Sequence, residues 1–314
     1  MTASRVLRGA STVDALLAER VQRAARKLAY VADPAARALA SQRSSHVAVL
    51  IPSLTNRLFV DLLEAAQQAL RAAGLQTLIG VTHYDAAEEE QLIREQLLHR
   101  PSGLLLTGLD HTRASRRLLA EADLPVVTMM ELDQEPDSYS VGFSQRAAAT
   151  ALTEHLLASG RKRIAFAAAQ LDPRTLQRMQ GWREAMTAAG RHDARLEWRD
   201  PAPSSLAQGA QMFEQIRAMR PKVDAILFCN DDLAQGALLE ALRQGVRVPD
   251  QLAIAGFNDL PGSDCMVPPL TTVKTPLAET GRRAGEMVAA LIRGETPATA
   301  SVDLGFELKL RGST

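Results

Sequence analysis

Polar side chains recur at one kind of place along this chain, just after a short apolar run. Ser53 and Asn56 follow HVAVLI, Thr82 follows LQTLIGV, Thr107 closes GLLLT, and Glu131 follows PVVTMM. Further on, Gln170 and Asp172 follow RIAFAAA, Asn230 and Asp231 follow AILFC, and Asn258 and Asp259 follow LAIAGF. Most of these are hydroxyls, amides or carboxylates. Such groups answer the hydroxyls of a polyhydroxylated ligand, each of which both donates and accepts. Arg174 and Arg178 lie one turn apart at the start of a predicted helix and suit an anionic group such as a sugar-acid carboxylate. Phe59, Phe143 and Trp182 are candidate apolar or stacking walls. Any one of these polar residues is more often a helix cap or a turn former. The recurrence is what points to a site.

Catalysis and metal chemistry find little support. The phosphate- and dinucleotide-binding glycine patterns are absent, and so is the Gly-x-Ser-x-Gly elbow of serine hydrolases. The six histidines (His46, His83, His99, His111, His155 and His192) are scattered, and none pairs with another at helical ligand spacing. Asp231 and Asp232 are adjacent and point different ways. No nucleophile–base pair, no metal site and no cofactor is expected.

The elements that must hold these residues alternate. Strands are predicted at 46–51, 75–81, 103–107 and 125–130, with helices at 56–73, 86–98 and 112–121 between them and a further strand at 139–143. A second round follows: helix 146–158, strand 163–168, helix 175–189, strand 196–199, helix 205–219, strand 225–230, a helical pattern after Asn230-Asp231-Asp232 with Leu233, Ala237, Leu238, Ala241 and Leu242 on one face, and strand 251–256. Thr272–Lys274 is predicted to recross between the two rounds, before helix 277–292 and a final strand, Val302–Leu310. Alternating strands and helices make an α/β protein of two doubly wound parallel sheets with right-handed crossovers. Ligands of such sheets sit beyond the carboxyl ends of the strands, where the polar residues recur.

The chain has 314 residues, enough for two compact domains or one domain with a small accessory unit. It is 46% hydrophobic and 4% aromatic, so its core is built mainly from aliphatic side chains. No apolar run is long enough to span a bilayer, and MTASRVLRGAST has no secretory apolar region. Two cysteines, Cys229 and Cys265, fit a reduced cytoplasmic protein. Charge is uneven. Residues 1–45 carry eight basic side chains (Arg5, Arg8, Arg20, Arg23, Arg26, Lys27, Arg37, Arg43) against three acidic ones (Asp14, Glu19, Asp33), a net of +5, which leaves −5 for the remainder. A basic head on an acidic body suggests a polyanion for the head. That head contains a helical pattern over Asp14–Leu28, with Leu16, Leu17, Val21, Ala24, Ala25 and Leu28 on its expected buried side. A short helix follows at 34–41, capped by Asp33 and opened by Pro34.

These segments carry a resemblance. TASRVLRG, LAERVQRAARKLAYVADPAARALASQRS, VAVLIPSLTNRLF, FCNDDLAQGALLEALRQGVRVPDQLAIAGFND and PPLTTVKTP with GRRAGEMVAALI look like the lactose/galactose-repressor (LacI/GalR) family of bacterial transcription factors, over essentially the whole length. VGFSQRAAA, AQLDPRTLQRMQGWREAM, CNDDLAQGA, VPDQLAIAGFND and DLGFEL are most similar to the gluconate-utilisation repressors of that family.

The resemblance implies a helix-turn-helix head over 1–45 and an effector-binding body over 46–314 of periplasmic-binding-protein type. The body divides into one subdomain of about 46–144 plus 275–295 and another of about 145–272 plus 300–314. In the head, Thr2, Ser4, Arg5 and Arg8 would lie near bases or phosphates in the major groove. Residues 34–41 would form a minor-groove hinge helix with Leu39 as its wedge, flanked by Arg37. The chain begins where relatives are already inside the recognition helix, so the first helix of the head is expected to be missing. In the cleft, Arg178 and Asn258 match effector-facing residues. The family often has Asp at the position of Asn258, a departure that removes a charge. The implied protein is a cytoplasmic, dimeric repressor that binds operator DNA and a small sugar or sugar acid such as gluconate, with no enzymatic activity and no membrane association. A sugar-binding protein without DNA binding is the alternative. A sugar-acid enzyme would need an acid–base pair in the cleft, which the residues do not supply.

Overall fold

The computed structural model describes residues 3, 6, 13–28, 30, 44–133, 135–219 and 222–314. The expected DNA contacts Thr2, Ser4, Arg5, Arg8, Arg37 and Leu39, and the predicted helix 34–41, lie outside the described residues. Within the head, α1 spans Ala15–Lys27. The Asp14 carboxylate caps it by accepting from the backbone N–H groups of Leu16 and Leu17, both at 3.1 Å. Arg26 and Lys27 sit at its carboxyl end, where cations oppose the negative pole of the helix. Its apolar stripe was expected to be buried and is not: Leu16 and Leu28 are about three-quarters exposed. Such a stripe is covered only when a partner element faces it, and the described chain brings none to these leucines.

The body has two parallel sheets. The first is built from β1 (His46–Ile51), β2 (Gln76–Val81), β3 (Gly103–Thr107), β4 (Val126–Met129) and β5 (Tyr139–Gly142), in the spatial order β2-β1-β3-β4-β5. The helices α2 (Leu58–Ala72), α3 (Ala86–Leu98) and α4 (Arg113–Glu121) connect its strands. The second sheet contains β6 (Ile164–Ala169), β7 (Glu197–Asp200), β8 (Ala225–Phe228) and β9 (Ala253–Ala255), in the order β7-β6-β8-β9. Its helices are α5 (Gln145–Ala158), α6 (Pro173–Ala188), α7 (Leu206–Ala218) and α8 (Asp231–Arg243). Both sheets begin in their middle and wind outward in the same order. Strands covered by helices on both faces read as unbroken apolar runs. Every residue of β3, β6 and β8 is buried.

The chain leaves the second sheet through β10 (Thr272–Lys274) and enters α9 (Leu277–Ile292). That helix packs on α2 and on the first sheet. Gly281 makes the approach possible, because a β-carbon there would run into the Leu62 carbonyl oxygen.

The predicted final strand Val302–Leu310 needs correction. It is two strands, β11 (Ser301–Asp303), parallel to β5 in the first sheet, and β12 (Glu307–Lys309), antiparallel to β10. Residues 301–303 therefore belong with the first subdomain, not with the second as expected for 300–314. Gly305, at φ 66°, makes the turn between them, and the Asp303 carboxylate accepts from its N–H at 2.9 Å. The apolar alternation of VDLGFELKL continues through this turn, so the pattern alone hides the break.

Close packing of α9 on α2 has a measurable consequence. Gly281→Val is expected to destabilise the protein by about 1–3 kcal/mol, the usual cost of forcing extra volume into a tight contact. The measurement is the urea midpoint, and an unchanged midpoint would show that the two helices are not in contact there.

Candidate functional site

The carboxyl ends of the two sheets face a common cleft holding two adjoining cavities. One, of about 330 Å³, is lined by Ser53, Thr55 and Asn56 from the loop after β1, and by Arg174, Arg178, Ser204, Asn230, Asp232 and Asn258 from the second subdomain. The other, of about 530 Å³, is lined by Thr82, Asp85, Glu89, Thr107, Asp110 and Glu131 on the first side and by Leu171 and Pro173 on the second. Pro52, His83, Tyr84, Gln170, Asp172 and Arg174 line both.

Local structure places each of these groups. Ser53 Oγ accepts from the N–H groups of Thr55 (3.1 Å) and Asn56 (3.2 Å), which pins the loop. Asn56 Oδ1 accepts from the Leu58 N–H (3.0 Å) at the start of α2, while its Nδ2 donates to the Tyr84 hydroxyl (3.2 Å). Thr107 Oγ1 donates to the Leu50 carbonyl at 2.9 Å. Asn230 caps α8 by accepting from the Leu233 N–H (3.1 Å), and its Nδ2 donates to Ser204 Oγ (2.6 Å). Capping and cleft-lining are thus one position doing both, because a helix that starts at a strand end starts at the cleft.

The arginines dominate the electrostatics. Arg174 is 6% exposed. Asp172 Oδ1 accepts from its Nε at 3.2 Å, and the guanidinium stands 5.7 Å from the centre of the Phe59 ring across the cleft. Its Nη1 is buried and has no hydrogen-bond partner among the described residues. Burial works against the charge, but Asp172 leads a group of anionic neighbours that outweighs it and keeps the pKa above the ordinary arginine value. Arg178 is equally buried and more fully engaged. Its Nε donates to Gln145 Oε1 (2.9 Å), its Nη1 to the Cys229 carbonyl (2.6 Å) and its Nη2 to Asn258 Oδ1 (3.5 Å). It also lies 4.0 Å from the centre of the Phe257 ring. Burial lowers its pKa to about 10, which leaves it charged at neutral pH. Glu131 is 3% exposed and accepts from Gln177 Nε2 at 3.2 Å, from α6 across the cleft. Burial raises its pKa, against the pull of Arg174.

Of the expected effector residues, the cavities bring together Ser53, Asn56, Thr82, Thr107, Glu131, Arg174, Arg178, Asn230 and Asn258. Phe59, Phe143, Trp182 and Asp231 line neither. Trp182 is one turn beyond Arg178 on α6, which carries it beneath the cleft. There its Nε1 donates to the Ile164 carbonyl (3.2 Å) and its ring meets Phe166. Phe143 is core, and Phe59 packs inside the first subdomain. Tyr84, absent from the expected effector residues, lines both cavities with its aromatic ring. It follows β2 and Thr82, so the strand-end rule that found the others applies to it as well.

Asp231 is fully buried behind the cleft. Thr272 Oγ1 (2.7 Å), the Leu260 N–H (2.6 Å) and Ser263 Oγ (3.0 Å) donate to its carboxylate. It therefore ties the loop after β9 and the crossover strand β10 to the start of α8.

Comparison with known proteins places this arrangement. Residues 153–314 match the periplasmic binding protein-like domain family. Over 314 residues the chain is 54% identical to the HTH-type transcriptional regulator GntR of Pseudomonas aeruginosa, covering 100% of this chain and 92% of that protein. The crystal structure of transcription regulator GntR from Chromobacterium violaceum superposes with a TM-score of 0.83 at 50% identity, over 85% of this chain and 98% of that one. A LacI-family transcriptional regulator from Silicibacter pomeroyi superposes with a TM-score of 0.91 at 34% identity, over 100% of this chain and 95% of its own.

The chain belongs to the LacI family of transcriptional regulators.

Membership makes it a regulator of transcription with an effector-binding body, and not an enzyme. Regulators of this family bind operator DNA and sugar effectors and act as dimers. No helix among the described residues is long and apolar enough to cross a membrane.

Burial raises the Asp231 carboxyl from 3.8 to about 6, even though three hydrogen bonds favour its ionised form. A carboxyl raised by folding contributes stability that is fully present below about pH 3.8 and is lost as the pH climbs through about 6. Wild type is therefore expected to lose stability relative to Asp231→Asn between about pH 4 and about pH 7. Urea denaturation of both proteins at the two pH values checks this, and a pH-independent gap between them would refute it.

Proposed function

We propose that the chain is a LacI-type repressor whose effector is a sugar acid, with gluconate the compound to test first, bound in the paired cavities between the subdomains. One observation carries this reading: the Arg174 guanidinium is more than nine-tenths buried, and its Nη1 has no partner among the described residues. A buried N–H of a charged group left without an acceptor is costly. A ligand carboxylate supplies both the acceptor and the opposite charge. Around it, Ser53, Asn56, Thr82, Thr107, Asn230 and Asn258 offer amides and hydroxyls for a polyhydroxylated body. The likeness of several segments to the gluconate-utilisation repressors supports the same ligand class.

Effector changes DNA affinity to the extent that it binds two arrangements of the subdomains unequally. The partners under this reading are operator DNA, a second copy of the chain and the sugar acid. Thr2, Ser4, Arg5, Arg8, Arg37 and Leu39 are the proposed DNA contacts, on resemblance alone. The proposed effector contacts are Arg174, Arg178, Asn258 and the amide and hydroxyl residues named above, with Glu131 beside them.

Calorimetric titration of wild type and Arg174→Ala with gluconate and with glucose tests the assignment. A charge-assisted hydrogen bond contributes about 1.5–3 kcal/mol, so the variant should bind gluconate about 10- to 150-fold more weakly. Any affinity for glucose should change little. Equal losses for the two compounds, or no gluconate binding by wild type, would overturn the carboxylate role of Arg174.

A further inference from the structure

Gln145 lines neither cavity, yet it joins the two sides of the cleft. It is the first residue of α5, where the chain passes from the first sheet to the second, and it is fully buried. Its Nε2 donates to the Met130 carbonyl (3.2 Å) at the end of β4, and its Oε1 accepts from Arg178 Nε (2.9 Å). The amide has no freedom of orientation. A guanidinium only donates and a carbonyl only accepts, so the oxygen must face Arg178 and the nitrogen must face Met130.

Both ends of this bridge matter. Met130 holds a left-handed φ of 71°, and its N–H donates to the Val141 carbonyl at 2.9 Å. The next residue, Glu131, lines the second cavity. Gly142 packs so closely on this turn that a β-carbon there would meet the Glu131 backbone. At the other end, Arg178 reaches the Cys229 carbonyl and Asn258, which lines the first cavity. An unbroken series of hydrogen bonds thus runs from Asn258 through Arg178 and Gln145 to the backbone of the first subdomain.

We propose that Gln145 is the positioning residue that carries effector occupancy, felt at Arg178 and Asn258, to the first subdomain through the Met130 carbonyl. The proposal rests on the reading that the cleft binds an anionic effector. Its physical content is a difference between two arrangements. A buried amide N–H and a buried carbonyl satisfy each other only when the subdomains stand at one separation, and losing that bond leaves two buried polar groups unpaired. An effector that fixes the Arg178 guanidinium fixes Gln145 with it, and so favours the arrangement in which the Met130 bond is made.

Two variants separate the two halves of the bridge. Gln145→Glu, studied at about pH 8 so that the carboxylate beside Arg178 is ionised, keeps an acceptor for Nε and removes the donor to Met130. Gln145→Met removes both. The readouts are calorimetric affinity for gluconate and hydrogen exchange of the amides of 128–132 with and without gluconate. In wild type, gluconate should slow that exchange at least about fivefold, the lower end of ordinary site-to-site coupling. Gln145→Glu should still take up gluconate but show no slowing there. Gln145→Met should bind gluconate at least about tenfold more weakly, the effect of loosening a buried charged hydrogen bond. Should Gln145→Met fail to fold, Gln145→Glu decides alone. Undiminished slowing in Gln145→Glu overturns the relay while the effector reading stands. A wild-type chain that takes up no gluconate overturns the effector reading and the relay with it.

Discussion

Two guanidinium groups, each more than nine-tenths buried at the cleft, set the terms for the centre of this molecule. Removing an arginine from solvent is unfavourable unless its charge and its donors are met. Arg178 is met by uncharged groups: a side-chain amide from α5, the carbonyl that ends β8, and the face of Phe257. Arg174 is met by Asp172 and by the face of Phe59. Among the described residues it remains short of one acceptor, at Nη1. Both arginines line the first cavity, but Arg178 is held there within the hydrogen-bond series of the scaffold, whereas Arg174 keeps one donor unmet among the described residues.

The fold makes such a centre possible by its winding. Both sheets start in the middle and grow outward, so the carboxyl ends of their inner strands converge on one cleft. Each helix that follows a strand needs a cap, and caps are short polar side chains. Asp172 at α6, Asn230 at α8 and Asp85 at α3 fill that need and line the cleft as well. The polarity of the cleft is in part a by-product of helix initiation. The lining that is not a cap includes the two arginines, Tyr84, Glu131 and Asn258, which add charge, an aromatic ring and an amide.

The subdomains are joined by a few connections. The chain crosses before α5, between β10 and α9, and between β11 and β12. Asp231 fastens the second crossing to the start of α8, and the antiparallel pair of β10 and β12 holds it to the third. Short connections of this kind allow two rigid α/β units to hinge while each core stays intact. The small side chains along β6 and the glycine contact of α9 with α2 show how tightly those cores are closed.

Much of this was legible in the residues. Alternating apolar runs and helical stripes gave most strands and helices of the body to within a few positions, the last strand excepted, since burial on both faces leaves an unbroken apolar signature. The polar residues at strand ends marked the cleft, because topology puts every strand's carboxyl end on the same side. Family membership could be read from long ordered motifs. Tertiary structure alone decided the rest. Trp182 and Phe143 look like binding-site aromatics in the chain, but helix and strand geometry points them into the core. Asp231 and Asn230 are neighbours in sequence, and one turns inward as a structural tie while the other faces the cleft. Gln145 lies within VGFSQRAAA, but nothing in that run marks it as a link between the subdomains. Its role exists only because folding brings the Met130 carbonyl and the Arg178 guanidinium to opposite ends of one amide, and contacts between residues so far apart in the chain leave no trace in local spacing.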